Sequence, residues 1–199
     1  MRGAEGAGAG APVLVLTPLW LEARALRRGS PGLPVAVCGV GPARTRAAVA
    51  RARAGGARAV VMAGFCGALA PGLGPGDLVV ATEVRADGRT FSPPGAAELL
   101  EALAAQGVPA RPAVLASSSR PVLAGARRRL AAGGADAVDM ESGALAEAAG
   151  ELPWAVLRAV LDAPGREPWR PLATLRGFRR ASAALRASAP ALAASMMDG

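Results

Sequence analysis

The sequence predicts an α/β domain built on a largely parallel sheet. Short apolar runs alternate along the chain with alanine-rich segments that are dotted with arginine, and this alternation of strand-like and helix-like segments is typical of that class. The chain has 199 residues, enough to bury a substantial core in one domain. It shows no repeat of fixed period and no linker. We therefore expect a single domain over residues 12–199, after a Gly/Ala-rich, disordered tail over residues 1–11.

Each strand is predicted where an apolar run ends at glycine, proline or a charged residue, and each helix where alanine and arginine, both strong helix formers, dominate. The predicted strands are Val13–Leu16, Val35–Val37, Ala59–Ala63, Leu78–Glu83, Val114–Ala116 and Trp154–Leu161, with Ala135–Met140 leading directly into a helix. The predicted helices are Leu21–Arg28, Ala43–Ala54, a segment near Pro121–Ala132, a segment from Glu141 to about Gly150, and a last one from Pro171 toward Ser188.

Composition excludes several classes of function. The formal net charge is +8, but every basic residue is arginine, the arginines are scattered, and aromatic residues are only 3% and do not interleave with them. A nucleic-acid partner is therefore not expected, because stacking platforms and a one-sided basic patch are both missing from the pattern. The chain has no histidine, which excludes a Ser-His-Asp triad, a Cys-His pair and a His-ligated zinc site.

The cysteines and the N-terminal apolar run predict the compartment. Cys38 and Cys66 lie in apolar or Gly-rich runs and match no metal-ligand spacing, so we expect reduced, buried thiols. The run "VLVLTPLWL" is too short to cross a bilayer. A soluble, cytoplasmic protein without a membrane span follows.

Three acidic residues stand where predicted strands end or helices begin. Asp162 ends "WAVLRAVLD", Glu141 opens the helix after "AVDM", and Glu22 begins "EARALRR". Ligands of α/β domains bind outside the carboxyl ends of the strands, so a shared acidic site is one interpretation. Each acid alone is equally well explained by local structure: a turn-initiating Asp, a first-turn helix Glu and a solvated helix Glu.

Glycines follow two of the predicted strands directly. They are Gly39 and Gly41 in "CGVGPAR", and Gly64 and Gly67 in "AGFCGAL". A missing Cβ lets the backbone approach a ligand closely. The spacing is neither the dinucleotide fingerprint nor a phosphate-binding P-loop, so the residues by themselves predict an acidic, glycine-lined site and no particular ligand.

Three motifs give the chain a resemblance to a known family. "GVGPARTRAAVARARAGGARAVVMAGFCGALAPGLGPGDLVVATEV", "VDMES" and "VLRAVLD" occur in the order and spacing of the nucleoside phosphorylase/nucleosidase superfamily. The chain most resembles its methylthioadenosine/S-adenosylhomocysteine nucleosidases and hopanoid-associated phosphorylase-like proteins. The resemblance implies a three-layer α/β/α sandwich with a mixed, strongly twisted central sheet, assembled as a homo-oligomer. It implies no metal and no organic cofactor.

The resemblance also assigns roles within N-glycosidic cleavage of a purine-type nucleoside. Asp162 corresponds to the acid at the purine N7 and Glu22 to the glutamate that activates water. Glu141 corresponds to the acceptor of ribose hydroxyls, and Met140 packs against the sugar. The remaining substrate-binding candidates are Gly41, Gly64, Phe65 and Gly67.

Departures from the family pattern leave alternatives open. "TPLWLEARAL" lacks the Gly-Asp-Pro of the phosphorylases, which favours hydrolysis, although Arg24 and Arg44 leave phosphorolysis as an alternative. Phe65 replaces a small or hydroxylic residue, and we expect its ring to narrow the pocket. Leu161 replaces the serine before the catalytic Asp. Because of these two changes, a protein that binds a nucleoside without cleaving it is a third interpretation, beside hydrolysis and phosphorolysis.

Overall fold

The structure is a computed structural model that describes residues 13–162 and 171–195. The predicted disordered tail at residues 1–11 lies outside the described residues. Eight strands and six helices occur in the described part of the chain. The strands are β1 (Val13–Thr17), β2 (Val35–Val37), β3 (Ala59–Ala68), β4 (Leu78–Ala86), β5 (Arg89–Phe91), β6 (Ala110–Ser117), β7 (Ala137–Asp139) and β8 (Trp154–Asp162). The helices are α1 (Trp20–Gly29), α2 (Pro42–Ala54), α3 (Ala96–Ala105), α4 (Ala124–Ala132), α5 (Ser142–Ala149) and α6 (Pro171–Ala194).

The strands form one mixed sheet that closes partly on itself. Their order is β2-β1-β3-β7-β6-β4-β5, and β8 pairs with both β3 and β4. Strands β3, β8, β4, β6 and β7 therefore form a closed ring, from which β1 and β2 extend on one side and β5 on the other. The pairings β3–β7, β4–β5 and β4–β8 are antiparallel, and the others are parallel. The mixed sheet expected from the family resemblance is confirmed.

Helices cover both faces of this sheet. One apolar cluster joins the sheet to α1, α3 and α6, and a second joins it to α2 and α5. Alanine supplies much of both clusters, because a small side chain lets a helix lie close to the strands. The predicted three-layer α/β/α arrangement is therefore confirmed.

Two elements were not predicted, and strands β3, β4 and β6 are several residues longer than expected. Strand β5 has only three residues, too few to show an apolar period. Helix α3 lies in a segment for which the sequence predicted no element. Strand β3 runs on from Ala63 to Ala68, through two glycines that had been interpreted as following the strand. This extension places both glycines inside the sheet and beside β8.

An irregularity in β8 sets the position of its last residue. Cys66 pairs with Val160, but Gly67 pairs with Asp162, so Leu161 is an extra residue in β8. A bulge of this kind re-aims the side chains that follow it. It brings Asp162 opposite Gly67, where uninterrupted pairing would have placed Leu161.

Candidate active site

A fully buried guanidinium lies among a group of carboxylates at the strand ends. Arg158 lies in β8 and has no exposed surface. Its Nη2 contacts the Asp139 carboxylate and lies 3.4 Å from both Glu141 Oε2 and Ser142 Oγ. Burial of a charge is tolerated when it is paired and hydrogen-bonded. Burial acts to lower the pKa of Arg158, but the carboxylates of Asp139, Glu141 and Glu22 raise it above its ordinary value.

The carboxylate of Glu22 reaches the same place from the start of α1. Its Oε2 accepts a hydrogen bond from the Leu19 N–H at 2.7 Å, and its Oε1 accepts one from the Phe65 N–H at 2.8 Å. The residue is only 2% exposed. Burial raises the pKa of Glu22 to about 7, against the opposing effects of Arg158 and the two backbone N–H groups. A carboxylate with a pKa near neutrality is matched to general-base work.

Gly64 leaves room for both charged groups. A Cβ at this position would lie 2.6 Å from Arg158 Nη1 and 2.8 Å from Glu22 Oε1, so these two atoms lie around the same point. Arg158 Nη1 and Nε are buried and have no hydrogen-bond partner among the described residues. Buried donors without a partner indicate a place for a water or a ligand. Arg158, Glu22, Glu141, Asp139 and Ser142 are called the Arg158 cluster below.

Glu141 joins this cluster to the loop before α2. Its Oε1 accepts a hydrogen bond from the Gly41 N–H at 3.1 Å, and Gly41 has a φ of 96°, a left-handed conformation that glycine adopts without strain. Burial raises the pKa of Glu141, and Arg158 opposes this. Met140 precedes Glu141 in the chain and is partly buried.

A second ion pair lies further along β3. Arg127 of α4 donates from Nη2 to Asp162 Oδ1 at 2.7 Å, and both side chains are partly exposed. A Cβ on Gly67 would collide with the Arg127 guanidinium and would lie 2.8 Å from Asp162 Oδ1. Arg127 and Asp162 are called the Arg127 pair below.

The structure thus brings most of the predicted site residues to neighbouring strand ends. Gly41, Glu22, Gly64 and Glu141 meet at or beside the Arg158 cluster, and Gly67 lies under the Arg127 pair. Phe65 takes part through its backbone N–H. Its ring packs instead against Phe178 of α6, with the ring centroids 5.7 Å apart, so the structure shows no contact between that ring and the charged groups.

Sequence reasoning missed three charged residues at these positions. Asp139 and Arg158 both lie within the motifs that had been noted, where attention went to Glu141 and Asp162. The sequence did contain a signal for these two residues, because an arginine in the interior of a buried strand needs acidic partners. Arg127 belongs to the run Arg127–Arg129, and nothing in that run distinguishes it from its exposed neighbours.

Comparison with known proteins decides the family. The Phosphorylase superfamily profile matches residues 30–193. The chain belongs to this superfamily. Superfamily members are nucleosidases and phosphorylases, so the chain is an enzyme of one of these two kinds. A comparison with curated proteins found no relative.

Solved structures of this superfamily share the fold. A methylthioadenosine/S-adenosylhomocysteine nucleosidase from Helicobacter pylori superposes with a TM-score of 0.78 at 17% identity, over 96% of this chain and 99% of that one. Futalosine hydrolase from the same organism gives 0.77 at 17% identity, over 95% and 98%. The nucleosidase of Colwellia psychrerythraea, solved with adenine, gives 0.78 at 19% identity, over 94% and 96%. At these identities the likeness establishes the fold.

Two further features of the described residues bear on function. None of their helices combines the length and apolar character that a membrane crossing requires. Their His, Cys, Asp and Glu side chains do not gather into a group of three that could hold a metal ion.

Proposed function

We propose that this superfamily member cleaves the N-glycosidic bond of a purine-type nucleoside, with water as the nucleophile. The observation that carries the proposal is the position of Glu22. Its buried carboxyl group, with a pKa of about 7, lies beside unpartnered N–H groups of Arg158. The carboxylate would accept a proton from water while the guanidinium holds the water oxygen.

The sugar would bind at Glu141. A carboxylate has about four acceptor sites, and the contacts with Gly41 and Arg158 leave room for the two vicinal hydroxyls of a ribose. Met140, adjacent and partly buried, would pack against the sugar ring.

The base would lie at Asp162. Cleavage leaves negative charge on the departing base, and a polar group at the base nitrogen relieves it. Asp162 follows the bulge at the carboxyl end of β8. It therefore lies further along the same strand than Arg158. The purine thus extends away from the water and the sugar in this arrangement.

The charge of the Arg158 cluster favours hydrolysis over phosphorolysis. Three carboxyl groups surround one guanidinium there, which disfavours a phosphate dianion by repulsion. Both arginines considered for phosphate lie outside the Arg158 cluster. Arg24 lies over the Trp20 ring at 5.9 Å, and the Arg44 side chain lies against Gly39.

Assembly and location complete the proposal. Trp20 is 60% exposed, and Val37 and Val40 are also largely exposed, which supports a homo-oligomer that would cover apolar surface. Both described cysteines are free and buried, which is consistent with a cytoplasmic protein.

The decisive experiment measures free-base release from adenosine, inosine, methylthioadenosine and S-adenosylhomocysteine, each with and without phosphate. Release without phosphate is expected, and Glu22→Gln should lower it by about 10²–10⁴-fold. Glu98→Gln, an exposed acid on α3, is the matched control and should not change it. Release that requires phosphate would establish the phosphorylase alternative. A folded protein that binds nucleoside but releases no base would establish the third interpretation, a nucleoside-binding protein without turnover.

A second experiment tests the sugar contact. If Glu141 holds the ribose hydroxyls, the wild-type protein should process ribosides better than 2′-deoxyribosides, and Glu141→Gln should reduce that preference. Equal processing of both sugars by the wild-type protein would count against this role.

A further inference from the structure

The Arg127 pair is an unusual arrangement for a general acid. The Asp162 carboxylate already accepts a hydrogen bond from a guanidinium at 2.7 Å. The Oδ1 atom in this pair acts as a hydrogen-bond acceptor. The group that can donate at this position is the guanidinium of Arg127.

Three features of the fold bring this guanidinium to Asp162. The bulge at Leu161 sets Asp162 opposite Gly67. The absence of a Cβ on Gly67 leaves the space that the guanidinium fills, and α4 supplies the arginine. A larger residue at position 67 would displace the pair.

Arg127 also has hydrogen-bonding capacity left over. Its Nε is buried and lacks a hydrogen-bond partner within the described part of the chain. Its neighbours Arg128 and Arg129 are exposed and show no contact of this kind. An unsatisfied donor on a charged group, next to a carboxylate at a strand end, indicates an acceptor that comes from a ligand.

We propose that Arg127 contacts the departing base, donating a hydrogen bond to its ring nitrogen and stabilising its negative charge, while the Asp162 side chain orients the guanidinium. This inference rests on the proposed function and refines it. Asp162 then acts as the acceptor for an N–H of the base and as the partner of Arg127. Preorganised donors aimed at developing charge contribute strongly to catalysis.

The step balances without a protonated Asp162. The bond between C1′ and the base nitrogen breaks, and its electron pair stays with the base. The water oxygen forms the new bond to C1′, and the proton lost by water goes to Glu22. The base anion takes a proton from solvent water as it leaves, and Glu22 returns its proton to solvent.

The test compares two leaving groups in the full-length protein. Adenosine is one substrate, because its N7 acceptor and 6-amino donor match a guanidinium donor beside a carboxylate acceptor. p-Nitrophenyl β-D-ribofuranoside is the other, because nitrophenolate leaves without assistance. Arg127→Gln should lower kcat for adenosine by about 10²–10³-fold and change p-nitrophenyl riboside cleavage by less than about threefold. Arg127→Lys should recover part of the loss, since it keeps the charge.

Arg128→Gln is the matched control, because it removes the same charge from the adjacent, exposed position of α4. It should leave both substrates unchanged. An equal loss on both substrates in Arg127→Gln would overturn the base contact and leave a purely structural ion pair. Unchanged adenosine cleavage in that variant would also overturn it.

Binding of free adenine separates this inference from the proposed function. Arg127→Gln should weaken adenine binding by at least about tenfold, measured by calorimetry, and Arg128→Gln should not. A wild-type protein that binds adenine through Arg127 but cleaves neither substrate would refute hydrolysis and keep the base contact. Adenine binding that is absent, or unaffected by Arg127→Gln, would refute the contact.

Discussion

The Arg158 cluster and the Arg127 pair share one arrangement of residues but differ in how deeply they are buried. In each, a glycine of β3 leaves space for a guanidinium that pairs with carboxylates at the strand ends. Arg158 is completely buried and contacts two acids, Asp139 and Glu141. Arg127 is 20% exposed along its side chain and pairs with one partly exposed Asp.

This difference in burial indicates which part of the site the fold holds rigidly. A buried charge with several partners cannot move without leaving some partner unpaired, which is costly in a low-dielectric interior. An outer pair with solvent beside it can separate at small cost. We therefore expect changes in the Arg158 cluster to affect both stability and turnover, and changes in the Arg127 pair to affect mainly turnover.

The largest effect on stability is expected for Asp139→Asn. This change removes a charge that faces fully buried Arg158, so the free energy of unfolding should fall by about 3–5 kcal/mol. Urea denaturation measures it. Glu147→Gln, at a surface pair with Arg46, should cost less than about 1 kcal/mol. Equal costs for the two variants would contradict the distinction between the two regions.

The next effect is the pH dependence that Glu22 introduces. Its pKa is about 7 in the folded protein against an ordinary value of 4.5, so the folded state holds a proton that the unfolded state releases. Stability from this group is full below about pH 4.5 and declines as pH rises through 7. The difference corresponds to on the order of 3 kcal/mol.

Measured unfolding free energies between pH 4.5 and 8 test this, with Glu22→Gln expected to reduce the decline. Glu141 is expected to leave a residual slope of the same sign, because burial raises its pKa as well. Base release should show the opposite trend and increase through pH 7, because the general base must be ionised. A slope that Glu22→Gln leaves unchanged would assign the dependence to other groups.

A smaller loss of stability is expected for Gly64→Ala. The added methyl group would meet Arg158 and Glu22, and neither can move aside because both are buried and hydrogen-bonded. Overpacking of this kind costs about 1–3 kcal/mol. Turnover should fall as well, because the methyl group would displace Glu22 and Arg158, the two groups that would bind the water at the proposed water site. Normal turnover in this variant would remove that site.

The smallest loss of stability is expected for Gly67→Ala. The added methyl group would meet the far end of the Arg127 side chain, which can turn toward solvent, so the free energy of unfolding should change by less than about 1 kcal/mol. Adenosine cleavage should nevertheless fall toward the level of Arg127→Gln. Combining the two substitutions should add little further loss, since both remove the same contact. Fully additive losses would show that Gly67 acts independently of Arg127.

The sequence by itself determined the alternation of strands and helices, the family motifs and the three acids at strand ends. These follow from local information: apolar period, glycine positions and residue order. The mixed sheet also agrees with the family resemblance. Sequence reasoning failed for β5, which is too short to show a period, and for the continuation of β3 through Gly64 and Gly67.

Only the tertiary structure decided which charges meet. Glu22 accepts from the N–H of Phe65, 43 positions away, and Arg127 reaches Asp162 across 35 positions. The pairing of Asp162 with Gly67 depends on one extra residue in β8, which no local pattern announces. Such contacts depend on strand register and on space left by absent side chains. For that reason identical arginines in one run, Arg127 and Arg128, have entirely different surroundings.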